Sequence, residues 1–182
     1  MAMKDYRTVV VGTDGSALAE PTVARAAWLA THEDADLVIV CAYAEMSRRL
    51  DAKNVATLGG DVRFGQVLGR GAASDALAQA VGLGKANGAT IAAALLVEGE
   101  PAKALLSVAE ERGADVIVVG ARRDRSVADR LLGTVATEVT KQARCDVLIV
   151  RPVAETGDLV VPEDSPVDSW SPPPADDEPA AR

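Results

Sequence analysis

The sequence is poor in the residue types that build many active sites. Its 182 residues include one histidine, two cysteines, two tryptophans, two tyrosines and one phenylalanine. Cys41 and Cys145 lie in or beside apolar runs without paired spacing, so neither a disulfide framework nor a zinc site is indicated. The lone His32 falls among acidic residues at a predicted helix end, which is typical of a surface position. The few aromatic side chains also disfavour a flavin site.

Long apolar runs are missing as well. No run approaches the roughly 18 residues that predict a transmembrane helix, and no apolar segment follows the opening MAMKDYR. We therefore expect no membrane partner and a cytoplasmic location. The net charge of −8 is concentrated from Pro152 onward, where eight acidic residues and one basic residue lie. Residues 1–151 carry a net charge of −1, which does not indicate a nucleic-acid partner.

Composition also divides the chain into two parts. Seven of the nine prolines lie from residue 152 onward, in a segment with only short apolar runs. We expect one domain over residues 1–152, followed by an acidic, proline-rich, disordered tail over 153–182. The simplest role for such a tail is to increase solubility, with a docking segment as the alternative.

Five short apolar runs punctuate the predicted domain. They are continuous and rich in valine and isoleucine, which is typical of strands covered on both faces of a parallel sheet. Helical apolar periods lie between them, and Pro101 and Gly113 fit a helix start and end. The pattern predicts a three-layer α/β fold with right-handed crossovers and a five-stranded parallel sheet. The runs lie near residues 8–12, 36–43, 90–97, 115–120 and 146–151.

The region 44–71 is polar and glycine-rich and predicts a long loop, followed by a helix near residues 74–85.

Ligands of such sheets bind outside the carboxyl ends of the strands, where the strand order reverses. The first strand ends in Thr13 and Asp14, and Ser16 is a candidate N-cap of the next helix. A simple Asx turn explains this stretch equally well.

The fourth strand ends at Gly120, and the next helix opens with Gly133 and Thr134. A glycine lets a ligand approach the backbone, while a helix N-terminus offers free N–H groups and a positive dipole end. Between these points lie four arginines, so the stretch predicts a phosphate site. The alternative is a solvated loop in which Asp124 and Asp129 pair with the arginines, which are Arg122, Arg123, Arg125 and Arg130.

These features resemble the universal stress protein family, specifically its nucleotide-binding branch with an open Rossmann-like α/β fold. That branch carries Gly, two residues, Gly, nine residues, Gly and then Ser or Thr. Here the spacing matches from Gly120 through Gly133 and Thr134, but Arg123 replaces the second glycine. The stretches VVVGTDGS, VEGEPAKALLSVAEERGADVIVVG and CDVLIVRP are also similar to the family, so the resemblance covers about residues 5–152.

The resemblance implies an adenine nucleotide, ATP, with Mg²⁺ as an optional companion; the alternatives are cyclic AMP or no ligand. Arg123 either blocks the phosphates or clamps them with its guanidinium. The implied site places Thr13 and Asp14 near the adenine or ribose, Ala42 and Val119 against the base, Gly120 near the ribose and phosphates, and Gly133, Thr134 and Val135 at the phosphates.

The family also implies a stress-response regulator rather than an enzyme, with at most weak ATP hydrolysis. Its members pair through the last strand, here Asp146 to Val150, and an apolar edge strand needs such cover on physical grounds. We therefore predict a homodimer with no identified protein partner. The alternative is a dimeric interaction protein that has lost nucleotide binding through Arg123.

A phospho-receiver domain is disfavoured. Its site would need a cluster of acidic residues at the strand ends, and Asp14 is the only acidic residue at the end of the first predicted strand.

Overall fold

The computed structural model describes residues 5–17, 19–45, 67–121 and 133–151. The five predicted strands are confirmed, and a sixth strand of two residues lies within the region predicted as a loop. The second helix starts four residues earlier than predicted. The elements are β1 Thr8–Thr13, α1 Ala19–Glu33, β2 Asp36–Ala44, β3 Val67–Leu68, α2 Arg70–Ala86, β4 Thr90–Glu98, α3 Pro101–Arg112, β5 Val116–Gly120, α4 Thr134–Gln142 and β6 Asp146–Val150.

All strand pairs are parallel, as predicted, and the main strand order is β4-β2-β1-β5-β6. Tyr43 of β2 pairs with Glu98 of β4 and with Val67 of β3. The short β3 therefore pairs with the same edge of β2 as β1 does, at positions beyond the last residue of β1. From β1 the chain moves outward to β2 and β4 and then returns to β5 on the other side. The strand order reverses at β1, and a ligand crevice is expected there.

Helices cover both faces of the sheet. α1 and α2 pack on one face, and α3 and α4 pack on the other. Successive side chains of a strand point to opposite faces, so Val9 and Val11 join the core under α1, while Val10 joins the core under α3. This two-sided burial explains why the strands are continuous apolar runs. The predicted three-layer α/β sandwich is confirmed.

Local signals set several helix boundaries. Pro101 occupies the first turn of α3, and Gly113 ends that helix with a left-handed φ of 59°. Both positions were predicted, because proline suits the first turn and glycine adopts positive φ readily. The prediction for Ser16 is wrong, since α1 begins at Ala19. The Ser16 carbonyl accepts a hydrogen bond from the Ala19 N–H at 2.9 Å in a turn that precedes the helix.

Cysteine and histidine take structural positions in the described part of the chain. Cys41 is buried and Cys145 is half-buried, and neither of these two described cysteines forms a disulfide. His32 is exposed, as predicted, and its ring stacks on Trp28 with centroids 4.1 Å apart. Within the ranges given above, no helix has the length and apolar character needed to cross a bilayer.

Candidate functional site

The turn after β1 is an Asx turn centred on Asp14. The Ser16 N–H donates to Asp14 Oδ1 at 3.0 Å, and the Ser16 hydroxyl donates to the same oxygen at 2.6 Å. The Gly15 N–H donates to Thr13 Oγ1 at 3.2 Å. These short-range hydrogen bonds hold Asp14 at the carboxyl end of β1, beside the point where the strand order reverses.

Gly15 allows α2 to press against this turn. Its φ is +71°, in the left-handed region that favours glycine. A Cβ built on Gly15 would lie 2.6 Å from Ala76 Cβ, closer than carbon atoms approach in proteins. The turn that carries Asp14 is therefore fixed by its own hydrogen bonds and by close contact with a helix that is distant in sequence.

Small side chains line the sheet near the same edge. Ala42 of β2 and Val119 of β5 are buried and belong to the core on the α3 side. Gly12 of β1 lies between these strands, and a Cβ added to it would meet Leu105 Cδ1 at 3.1 Å. Ala42, Gly12 and Val119 thus form a small apolar region on one face of the sheet at three neighbouring strand ends, and Leu105 of α3 packs over Gly12. Such a region has the character expected of a wall against a planar base.

The fourth strand ends at an accessible glycine. Gly120 is exposed at the end of β5, while the next residue, Ala121, is buried. The Ala121 N–H donates to the Val150 carbonyl at 2.8 Å, which ties the end of β5 to the last strand. The backbone at Gly120 therefore lies at the carboxyl edge with no side chain to hinder a ligand.

In the part of the chain that the structure describes, no side chain caps the start of α4. Gly133 occupies its N-cap position with φ 79° and ψ 159°, a conformation that only glycine adopts readily. Its carbonyl accepts a hydrogen bond from the Thr137 N–H at 3.0 Å, Thr134 is exposed, and Val135 packs against the core on the α3 side. A crossover helix runs back along the sheet, so its N-terminus lies at the carboxyl edge. Unpaired N–H groups and the helix dipole make this end attractive to anions.

The negative charge of Asp14 affects the pKa of a buried thiol, that of Cys41. Cys41 pairs with Thr13 across β1 and β2 and has no solvent exposure. Burial raises the pKa of the Cys41 thiol to about 11, because the thiolate would lose its hydration, and the negative charge of Asp14 adds to the rise. Cys41 is thus a neutral core residue on the α1 side of the sheet, whereas Ala42, which follows it, packs on the α3 side.

A cavity of about 590 Å³ lies at the opposite end of the sheet. Its lining comes from the amino ends of β1 and β2 and from the end of α1, and it includes four carboxylates. Negative charge of this density disfavours a phosphate ligand. The cavity therefore does not compete with the carboxyl edge as an anion site. Its lining residues are Asp5, Tyr6, Arg7, His32, Glu33, Asp34 and Asp36.

The predicted site residues that the structure describes all lie at strand ends or at the start of α4. Arg123 and the other three arginines of the loop lie outside the described residues. The sequence reasoning missed Gly12, Ala76 and Leu105, which shape the site by contact. The two glycines around Thr13 and Asp14 were the available signal for close approach at Gly12 and Gly15. Nothing in the sequence pattern pointed to their distant partners.

Comparison with known proteins agrees with this architecture. The sequence profile of the universal stress protein family matches residues 5–151. A universal stress protein from Mycobacterium tuberculosis is 38% identical over 148 residues, which cover 81% of this chain and 98% of the relative. The chain belongs to the universal stress protein family, and the predicted resemblance is confirmed.

Two solved structures combine this fold with bound nucleotides. A universal stress protein in complex with cyclic AMP is 34% identical, covers 81% of this chain and 98% of its own, and has a TM-score of 0.60. A universal stress protein from Archaeoglobus fulgidus in complex with dAMP is 26% identical, covers 80% and 98%, and has a TM-score of 0.57. Both similarities extend over nearly the whole length of the related chains.

Proposed function

We propose that this protein binds an adenine nucleotide, ATP, at the carboxyl edge of its sheet and acts as a stress-response regulator. The observation that carries the proposal is the uncapped N-terminus of α4 at Gly133, at the edge where the Asp14 turn and Gly120 also lie. The N-terminus of α4 is an anion seat, meaning a site that attracts the phosphates, and Asp14 is a hydrogen-bond acceptor for the base or ribose. The two lie at one sheet edge and so match the two chemical ends of a nucleotide. The related proteins with cyclic AMP and dAMP support an adenine ligand.

Each end of the site has its own chemistry in this proposal. Asp14 accepts hydrogen bonds from the base or ribose, next to Thr13 at the end of β1. Ala42 and Val119 contact the base. Gly120 allows the ribose and phosphates to approach the backbone. The first N–H groups of α4 and the Thr134 hydroxyl receive the phosphates, with Val135 packed behind them.

A metal ion would depend on the nucleotide. In the described ranges, no three His, Cys, Asp or Glu side chains gather where they could hold a metal. Mg²⁺ entering with ATP would accordingly be held mainly by phosphate oxygens and water, as is usual for this ion. Cyclic AMP, which carries one phosphate, would need no metal and is the alternative ligand.

The role of Arg123 is tested by restoring the family glycine. We expect Arg123→Gly to weaken ATP binding about tenfold, because a guanidinium can donate two charge-assisted hydrogen bonds to phosphate. Calorimetric titration of the nucleotide-stripped protein with ATP, ADP and cyclic AMP measures the change. Arg112→Gly, at the end of α3 away from the site, is the matched control and should leave affinity unchanged.

The opposite result would support the second candidate function. If ATP binds only after Arg123 is replaced by glycine, the natural sequence has lost its ligand. The protein would then act as a dimeric partner-binding member of the family. If ATP binds neither variant, the proposed nucleotide site is wrong.

The proposal includes a homodimer through β6. β6 pairs with β5, and within the described residues its other edge is unpaired. Its residues Val147 to Val150 are half-buried, and an apolar edge of this kind favours pairing with a second copy. Ile149→Asp should convert the dimer to monomer, because two carboxylates would oppose each other near the symmetry axis.

Light scattering after size-exclusion chromatography measures this change in mass. Ile91→Asp is the matched control, since Ile91 is a half-buried isoleucine on the opposite edge strand, β4. The control should remain dimeric. An Ile149→Asp protein that stays folded by circular dichroism and dimeric by mass would contradict the β6 interface.

Two further parts of the proposal rest on sequence. The family match ends at Arg151, which supports a domain boundary near Pro152 and a separate acidic tail. The cytoplasmic location stays a prediction. Regulation rather than turnover is favoured, because the described site offers one carboxylate, Asp14, and no histidine or cysteine that could serve as a base or nucleophile.

A further inference from the structure

The two oxygens of the Asp14 carboxylate are not equivalent. Oδ1 accepts both hydrogen bonds from Ser16, at 3.0 Å from the N–H and 2.6 Å from the hydroxyl. Among the described residues, Oδ2 has no hydrogen-bond partner. Asp14 is half-buried and an ionised carboxylate can only accept. The oxygen that remains open is therefore an acceptor at the edge of the proposed site.

The backbone around Asp14 is also held by contacts that do not involve the Asp14 side chain. Gly15 adopts a positive φ and lies against Ala76 of α2. Its N–H donates to Thr13 Oγ1. The main freedom left at Asp14 is rotation of its carboxylate about two side-chain torsions. The Ser16 N–H and hydroxyl both restrict this rotation, and the hydroxyl makes the shorter hydrogen bond to Oδ1, at 2.6 Å.

We propose that Ser16 is a positioning residue, which turns Asp14 so that Oδ2 accepts a hydrogen bond from an uncharged donor of the bound nucleotide. This inference rests on the proposed nucleotide site. The donor is either the exocyclic amine of adenine or a ribose hydroxyl, which share the same chemistry toward a carboxylate oxygen. A ligand that presents a carbonyl or a phosphate at this position is disfavoured, because both groups are acceptors and repel Oδ2.

The neighbourhood of Asp14 supports this orientation. Thr13 pairs with Cys41, so Asp14 and Ala42 are the next residues on the adjacent strands β1 and β2 at the carboxyl edge. Ala42 follows Cys41 and forms part of the apolar region at the strand ends. A hydrogen-bond acceptor beside an apolar surface suits a flat ligand with apolar faces and a polar edge, because the surface contacts a face and the acceptor binds the edge.

The first test compares three serine variants by calorimetric titration with ATP. Ser16→Ala should weaken binding about tenfold, since the carboxylate loses the hydroxyl that orients it. Ser16→Thr retains a hydroxyl and should bind within about twofold of the natural protein. Ser107→Ala removes an exposed serine on α3 and should not change affinity.

The second test identifies the donor with nucleotide analogues. Inosine triphosphate replaces the adenine amine with a carbonyl, whereas 2′-deoxyATP and 3′-deoxyATP each remove one ribose hydroxyl. The natural protein should bind one of the three about tenfold more weakly than ATP, and that analogue names the donor. In Ser16→Ala this preference should fall to about twofold, because donor and positioning residue act through the same oxygen.

The outcomes separate this inference from the proposed function. Natural protein that binds no nucleotide overturns both. Natural protein that binds ATP, with Ser16→Ala binding equally well, overturns the positioning role alone. The same holds if Ser16→Ala weakens ATP and all three analogues by one factor and Ser16→Thr does not restore affinity, since that pattern indicates only a damaged turn. Equal binding of ATP and all three analogues by the natural protein also overturns it.

Discussion

Replacing Gly133 with aspartate is expected to weaken ATP binding by at least about 100-fold, which corresponds to roughly 2.7 kcal/mol. The new carboxylate would lie at the N-terminus of α4, where we place the phosphates, and would repel them in a partly dehydrated site. The side chain could also accept hydrogen bonds from the first N–H groups of the helix and so occupy the anion seat itself. Calorimetric titration with ATP measures the loss.

Backbone strain must be separated from charge in this experiment. Gly133 has φ 79° and ψ 159°, so any side chain there costs of order 1–3 kcal/mol. Gly133→Ala carries that strain without the charge and should bind ATP more tightly than Gly133→Asp by at least about tenfold. Gly113→Asp, at a left-handed glycine on the surface of the molecule, should bind normally. Equal affinities for Gly133→Asp and the natural protein would show that the phosphates lie elsewhere.

Replacing Gly15 with alanine is expected to destabilise the fold by about 2–5 kcal/mol. The left-handed φ of +71° costs a residue with a Cβ about 1–2 kcal/mol. The new methyl group would also lie 2.6 Å from Ala76 Cβ, and such overpacking typically costs a further 1–3 kcal/mol. Urea denaturation followed by circular dichroism gives the free energy of unfolding.

Two variants divide this loss into its parts. Gly113→Ala has a similar φ of 59°, and no heavy atom of the described residues lies within 4 Å of the added Cβ, so it should cost only the free energy of the backbone strain. Adding Ala76→Gly to Gly15→Ala removes the facing methyl group, and the double variant should recover part of the lost stability once the cost of Ala76→Gly by itself is subtracted. If Gly15→Ala is no less stable than Gly113→Ala, the close approach of α2 to the turn is not present in solution.

The sequence predicted the parts of the fold whose cause is local. The strands were readable because burial on both faces leaves runs such as that of β1 almost purely apolar. The two-residue β3 was not predictable, since it consists of pairing between Val67 and Tyr43 and between Leu68 and Ala44, and pairing leaves no mark on composition. The candidate site residues were readable for a similar reason, because strand ends and glycines mark them.

The turn after β1 shows where sequence reasoning reached its limit. The same letters fitted an N-cap at Ser16 and an Asx turn at Asp14, and the choice depended on where α1 begins. The contact between Gly15 and Ala76 joins residues more than sixty positions apart, so no local pattern could reveal it. Arg123 lies outside the described residues, so its predicted role as a phosphate clamp rests on its position in the sequence motif.

The two ends of the site are supported from opposite faces of the sheet. α2 contacts the turn that holds Asp14, whereas α4, whose N-terminus is the proposed phosphate site, packs over the other face with α3. Among the helices that the structure describes, none contacts both ends. Substitutions in α4 could therefore change how many phosphates are accepted while base recognition persists, and substitutions in α2 could do the reverse. Such modularity gives a simple physical route by which proteins of one fold diverge in ligand preference without rebuilding the whole pocket.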